Sequence, residues 1–180
     1  MSGHSHWKQI KLQKAVTDKK KSASFAKILN AIAIAARPEP NPDFNPRLRT
    51  CIQKAREAQV PQENIDRAIQ KAKDKSLNLE EILLECYGPG GIALLISAVS
   101  DNTNRTVNEV KQVLRERGAR LAEPGSVRWN FEPKDGEFGS WRPKFTQNPG
   151  NDQESLDALV AALEGPNDIQ AVTTNAAQQN

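Results

Sequence analysis

The feature that most constrains the fold is the run Ile92 to Val99, IALLISAV, apolar at every position but Ser97. An apolar run of this length, bounded by turn residues, reads as a central strand of a sheet. Ahead of it, Gly88-Pro89-Gly90-Gly91 needs glycine at positive φ and proline at its fixed φ, so it reads as a tight hairpin joining this run to a strand at Ile82–Tyr87. It is not a phosphate loop: no GK[ST] follows, and a strand rather than a helix comes next. Asp101–Thr106 then leads into a helix with Val107, Val110, Val113 and Leu114, capped by Asn102 or Thr103 and ended by Gly118.

Beyond that helix, Val127, Trp129 and Phe131 alternate, which predicts a half-buried strand over Ser126–Phe131. Glu132–Gly139 reads as a polar turn, and Trp141–Thr146 as an edge strand interrupted by Pro143. Asn151-Asp152 caps a helix with Leu156, Leu159, Val160 and Leu163, and Ile169–Thr173 is a last short strand. The order β-β-α-β-β-α-β implies an α+β sandwich with an antiparallel or mixed sheet and two helices on one face.

The first half follows a helical period instead. Phe25, Ile28, Leu29, Ile32 and Ala36 form one apolar stripe on a helix capped by Thr17 or Asp18. Pro38, Pro40 and Pro42 make a stiff connection. Asn45-Pro46 starts a second helix as cap and first residue, with Leu48, Cys51, Ile52 and Ala55 inward. Val60-Pro61 opens a third, with Ile65, Ala68, Ile69 and Ala72. Three such helices make a bundle. The expected organisation is an arm at 1–14, a three-helix bundle at 15–76, an α+β domain at 77–176 and a frayed tail at 177–180.

Charge points to a partner. Residues 1–75 hold 16 basic and 7 acidic side chains, a balance of +9, whereas 76–180 hold 9 and 15, a balance of −6. One half is built to meet an anion and the other is not. His4, Ser5, Trp7, Lys8, Lys11, Lys14, Lys19, Lys20 and Lys21 form a cationic arm with one aromatic plane. Lysines that meet phosphates release condensed counterions, and a Trp ring stacks on a base or sugar face. A solvated terminus whose lysines only keep the chain in solution is the other reading of the arm. Lys27, Arg37, Arg47, Arg49 and Arg67 extend the basic set along the bundle. Arg47 and Arg49 oppose the dipole of their own helix, which points either to an external anion or to arginines neutralised by solvent ions.

Other classes are disfavoured. No run approaches the roughly 18 apolar residues of a membrane span, and no secretory h-region follows the start. Cys51 and Cys86, isolated in apolar contexts, read as buried free thiols of a reducing compartment. His4 and His6 make a poor metal site. Nucleophile elbow, paired metal-ligand motif and Walker loop are all missing. Asp101, Glu109 and Glu116 have the spacing of a solvated loop and helix. The expectation is a cytoplasmic, monomeric, non-enzymatic protein without cofactor or small-molecule substrate.

At this point the residues resemble a known family. Gly3-His4-Ser5, Trp7, Ile10-Lys11, Lys14, Asp18-Lys19, Phe25, Lys27, Ala35-Ala36-Arg37, Asn45, Leu48-Arg49, Pro61, Asn64-Ile65 and Arg67-Ala68-Ile69 match the YebC/PmpR family, which includes the mitochondrial translational activator of cytochrome c oxidase. Tyr87-Gly88-Pro89-Gly90-Gly91, Asp101-Asn102, Asn104-Arg105-Thr106 and Gly125-Ser126-Val127 continue the match. His6, Gln13 and the proline run at 38–42 depart from it. The resemblance implies three domains with the third inserted in the second, and here a short turn near 132–140 stands in that place. It also implies a non-enzymatic regulator of gene expression, a DNA-binding transcriptional regulator. The alternatives are a translation factor acting on RNA or the ribosome and, third, a protein-binding adaptor. Gly88, Pro89, Gly90, Gly91, Asn102, Arg105 and Thr106 are its loop residues.

Overall fold

The computed structural model describes residues 21–74, 78–134 and 138–177. The chain is an α+β protein: three N-terminal helices precede a sheet domain carrying two more. In the order of the chain these are α1 (residues 21–35), α2 (Pro46–Glu57), α3 (Gln62–Lys71), β1 (Glu80–Tyr87), β2 (Ala93–Ser100), α4 (Thr103–Glu116), β3 (Arg120–Leu121), β4 (Phe131–Pro133), β5 (Trp141–Pro143), α5 (Gln153–Leu163) and β6 (Ile169–Thr174).

β2 is the central element. Antiparallel β1 lies on one side of it, from Tyr87 opposite Ala93 to Glu80 opposite Ser100, and antiparallel β6 lies on the other. The sheet order is β3-β1-β2-β6, and β4 and β5 form a separate two-stranded ribbon. All eight residues of β2 are buried. Leu94, Ile96 and Ala98 face Val110 and Leu114 of α4 and Leu156, Leu159 and Leu163 of α5. On the opposite face, Ala93 and Leu95 meet Val127 and Phe131, and Val99 joins the core of the helical half with Leu79 and Phe138. The expected pair of helices on one face is present.

The β1–β2 turn depends on its glycines. Gly90 has φ 66° and Gly91 φ 70°, values that side chains with a Cβ avoid. A Cβ on Gly88 would lie 2.9 Å from Leu94 Cδ1 and 3.1 Å from Leu159 Cδ2, so this glycine lets α5 approach the turn.

In the helical half, Ala31 through Ala36 are all buried, and the four alanines among these six residues let the end of α1 pack closely. Asn45 then joins α1 to α2. Its Oδ1 accepts from Leu48 N at 3.0 Å as the helix cap. Its Nδ2 donates to Ala35 O and Glu39 O, each at 2.7 Å. One buried amide thus ends one helix and begins the next across the proline run. α2 buries Leu48, Cys51, Ile52 and Ala55 as its stripe requires. Two residues beyond its end, Gln59 adopts φ 61° without being glycine. Burial pushes the Cys51 thiol up to about 11 and that of Cys86 to about 12; both are free.

Four expectations from the sequence change. Residues Ser126–Phe131 are not a strand: a turn runs into a helical turn at Arg128–Asn130, and only from Phe131 does β4 begin. Val127 and Phe131 are buried as alternation requires, but Trp129 is 61% exposed. The cause is Glu85, whose carboxylate accepts from the backbone N–H of Gly125 at 2.5 Å, Val127 at 2.8 Å and Arg128 at 2.9 Å. Three donors converging on one carboxylate curl the chain. Secondly, β3 is an additional short strand, pairing Cys86 with Leu121. Thirdly, Phe138 in the expected polar turn is 9% exposed, packed in the helical core. Lys134 N still closes the hairpin on Ser140 O at 3.0 Å; residues 135–137 lie outside the described ones. Fourthly, Asp152 makes no side-chain cap to α5, which is entered through the helical turn Gly150–Asp152.

Burial pushes the Glu85 carboxyl up, but the three backbone donors and the Arg128 charge outweigh it and hold it below its ordinary range. A depressed folded value gives stability that is present above the unfolded value of about 4.3 and lost as pH falls through the folded one. Glu85→Gln places an amide donor against backbone donors. It should lower stability at pH 7 by about 2–3 kcal/mol and flatten the dependence of stability on pH below pH 4.3. Urea melts at pH 7 and pH 3 measure both; equal losses at the two pH values would contradict this role for the charge.

Candidate nucleic-acid interface

His4, Ser5, Trp7, Lys8, Lys11, Lys14, Lys19 and Lys20, with the expected caps Thr17 and Asp18, lie outside the described residues. The remaining cations of the basic set divide into exposed and engaged groups. Lys21 Nζ lies 5.7 Å from the ring centroid of Phe25. Lys27 is half-buried, and desolvation lowers its pKa, opposed by the charge of Glu164. Arg37 donates to Leu79 O at 2.5 Å. Arg47 pairs with Glu81, its guanidinium 4.1 Å from the ring centroid of Phe138. This internal partner answers the charge that opposes the helix dipole. Arg49 reaches Asp43 O at 3.4 Å and Arg67 reaches Glu63 at 3.4 Å, both exposed and weakly held. Lys54, Arg56, Lys71 and Lys73 also face solvent.

A cleft of about 550 Å³ opens where the helical half meets the sheet half. Ala33, Ala68 and Leu79 contribute apolar wall; Asn30, Asn64, Arg67, Lys71 and Arg105 contribute polar wall, together with the carboxylates of Asp101 and Asp168. Arg105 is placed here by the stretch Asp101–Thr106. Asn102 caps α4, its Oδ1 accepting from Arg105 N at 3.0 Å. The Arg105 side chain bridges Asp101 at 2.8 Å and Asp168 at 2.9 Å. Asp168 also accepts from Thr106 Oγ1 at 2.6 Å and Ser100 Oγ at 2.9 Å. Thr106 and Ser100 are fully or almost fully buried. Ser100, Arg105 and Thr106 therefore hold the loop between β2 and α4 to the loop before β6, Asn102 shapes the start of α4, and Arg105 reaches the cleft already paired. Gly88, Pro89, Gly90 and Gly91 lie at the β1–β2 turn and do not line this cleft.

Asp168 was not singled out in the sequence. It is 63 positions from Arg105, and an aspartate in a Pro-Asn-Asp turn carries no local sign of such a role. Lys71 and Asn64 of α3 meet Arg105 at the cleft only through the tertiary fold. A larger groove of about 780 Å³ between α5 and β6 has, among the described residues, only Asp157 and Glu164 as charged lining, which disfavours a polyanion there.

Two family models match in tandem: the TACO1/YebC protein N-terminal domain over residues 5–75, and the TACO1/YebC second and third domain over residues 79–138. The chain belongs to the TACO1/YebC family. A relative from Petrotoga mobilis, named "Probable transcriptional regulatory protein", is 49% identical over 137 residues, covering 74% of this chain and 55% of its own. One of the same name from Aquifex aeolicus is 40% identical over 174 residues, 94% of this chain and 66% of its own. The chain thus spans between about half and two thirds of the length of these relatives. A crystal structure of a conserved hypothetical protein from Aquifex aeolicus superposes with a TM-score of 0.78 at 28% identity, over 89% of this chain and 91% of the other. The boundary between the two family matches falls at 75–79, ahead of β1, where the helical period ends.

Desolvation raises the Asp168 carboxyl, but hydrogen bonds from Thr106, Arg105 and Ser100 and the Arg105 charge lower it further, so its pKa lies below the usual value. Its contribution is therefore present above the unfolded value of about 3.9 and lost as pH falls through the folded one. Asp168→Asn should lower stability at pH 7 by about 2 kcal/mol and leave the acid limb shallower. Thermal melts across pH 2.5–7 test this; an unchanged midpoint at pH 7 would contradict the anchoring role.

Proposed function

We propose that this chain is a non-enzymatic, nucleic-acid-binding regulator of gene expression that meets its polymer with the basic helical half. The observation that carries this reading is the segregation of charge: +9 over residues 1–75 against −6 over 76–180. In this reading residues 1–14 act as an arm, 15–76 as the binding unit and 77–176 as the attached α+β unit. The exposed Arg49, Lys54, Arg56, Arg67 and Lys71 supply phosphate contacts beside the arm lysines. Such contacts position a protein on a polymer without reading its sequence.

A DNA-binding transcriptional regulator is the first form of this function, supported by the name its relatives carry. A translation factor acting on RNA or the ribosome is the second, favoured by a specific observation. Two exposed amides of α2 and α3 face carboxylates of their own helix: Gln53 donates to Glu57 at 3.0 Å and Gln62 to Asp66 at 2.8 Å. The two helices also join at Gln59-Val60-Pro61, without the glycine turn of a helix-turn-helix. Cross-linking in cells with sequencing of the bound polymer separates them: promoter DNA supports the first, and ribosomal RNA without promoter signal supports the second.

If about five phosphates of a duplex are neutralised, affinity should fall on the order of 500-fold for a fourfold rise in salt. Replacing Lys8, Lys11, Lys14, Lys19 and Lys20 together by glutamine should flatten that slope. Gly90→Val serves as the control: its φ of +66° and the Asp152 Oδ2 only 3.1 Å from a Cβ make it disturb the sheet half, with the slope kept. A salt-insensitive binding curve for the wild-type chain would overturn the proposal and favour a protein-binding adaptor.

A further inference from the structure

A second surface has the makings of a nucleic-acid contact, although it lies in the half with net charge −6. Trp129 and Phe145 are 61% and 65% exposed, whereas Val127 and Phe131 beside them are 1% and 3% exposed. Their ring centroids lie 6.4 Å apart with planes inclined at 44°. Both are held from behind. Trp129 Nε1 donates to Ser126 O at 2.8 Å. Asn130 is 4% exposed; its Nδ2 donates to Phe145 O at 2.9 Å and its Oδ1 accepts from Phe145 N at 2.9 Å. Two aromatic planes are therefore presented to solvent on anchored backbone.

A groove of about 270 Å³ adjoins the two rings, and no acidic side chain lines it among the described residues. Its polar lining is largely committed inward. Asn175 Oδ1 accepts from Ala93 N at 2.8 Å, Gln147 Nε2 donates to Gly90 O at 2.9 Å, and Tyr87 Oη donates to Ser126 O at 3.3 Å. Such a surface offers flat apolar faces rather than free groups for base edges. Arg128 and Lys144, the chain neighbours of the two aromatics, are exposed, although neither lines the groove itself. Arg128 lies 4.4 Å from the Trp141 ring centroid, and Arg120 5.0 Å from that of Tyr87.

We propose that Trp129 and Phe145 form a stacking platform for unpaired nucleobases, with Arg128 and Lys144 taking the adjoining phosphates. The proposal deepens the function above and rests on it for the partner class. In a duplex the base faces are already stacked on one another, so two protein planes gain little there. A single strand offers free faces, and stacking on aromatics tolerates any base. Exposed aromatic pairs also occur at protein interfaces, but exposed cations next to both rings in the chain, and a groove with no acidic side chain among the described residues, favour a polyanion.

The test uses the full chain and fluorescein-labelled 12-nucleotide oligouridine, with a hairpin duplex as comparison, read by anisotropy. Trp129→Ala and Phe145→Ala should each weaken oligouridine binding by roughly fivefold to a hundredfold and leave the duplex unaffected. Trp129→Phe should retain most of the affinity. Circular dichroism checks that the variants fold, and the exposure of both side chains favours this. Independently of any variant, an oligonucleotide carrying 5-iodouracil should photocross-link to Trp129 or Phe145 of the wild-type chain. Wild-type binding to single strands that the alanine variants share, or cross-links only elsewhere, would overturn the platform and leave the nucleic-acid function standing. A wild-type chain that binds neither polymer would overturn both.

Discussion

The structure depends on burying β2 from both sides. Full burial of side chains such as Leu94, Leu95, Ile96 and Val99, all 0% exposed, stabilises by about 1.5–3 kcal/mol each. That is comparable in sum to the whole stability of an ordinary domain, about 5–15 kcal/mol. A strand of this kind must be covered twice. Helices α4 and α5 cover one face. The other is covered in sequence along the strand, first by Val127 and Phe131 and then, at Val99, by the helical half. The helical and sheet halves therefore share apolar contact at one end of the same strand.

Polar groups that are buried, as Asn45 and Glu85 are, or partly buried, as Asp168 is, decide how the remaining segments lie on that frame. Asn45 ties α1 to α2, Glu85 curls the chain at 125–128, and Asp168 ties the start of α4 to the start of β6. Each sits in a place where an unpaired partner would be costly, so each specifies a local geometry more sharply than apolar packing does. The functional surfaces follow from these anchors. Asp168 sets Arg105 at the cleft, and the curl at Glu85 turns Trp129 outward while keeping Val127 in.

Charge and fold are coupled differently in the two halves. Around the bundle some arginines are drawn into internal work: Arg47 meets Glu81 and Phe138, and Arg37 meets a backbone carbonyl. The cations left facing solvent lie on α2, on α3 and at the start of α1. In the sheet half two exposed cations lie over aromatic rings, Arg128 over Trp141 and Arg120 over Tyr87. Point charges suit a phosphate backbone, and planes flanked by charge suit free bases.

The sequence by itself determined what depends on neighbours along the chain. The helical stripes of α1, α2 and α3, the cap and first residue Asn45-Pro46, the glycine turn before β2, the central position of β2 and the cap Asn102 all rest on local period, φ preference or capping. The charge asymmetry needed only counting. Tertiary structure alone decided what depends on groups far apart in sequence. Alternation at Val127, Trp129 and Phe131 resembles a strand until Glu85, some 40 positions earlier, draws three backbone donors together. Phe138 looks like part of a polar turn until the helical core takes it in. Arg47 looks free until Glu81 is folded against it, and Asp168 carries no sign of Arg105. Hydrogen bonds and ion pairs act over a few ångströms of space, and residue order does not encode which distant groups come within that reach.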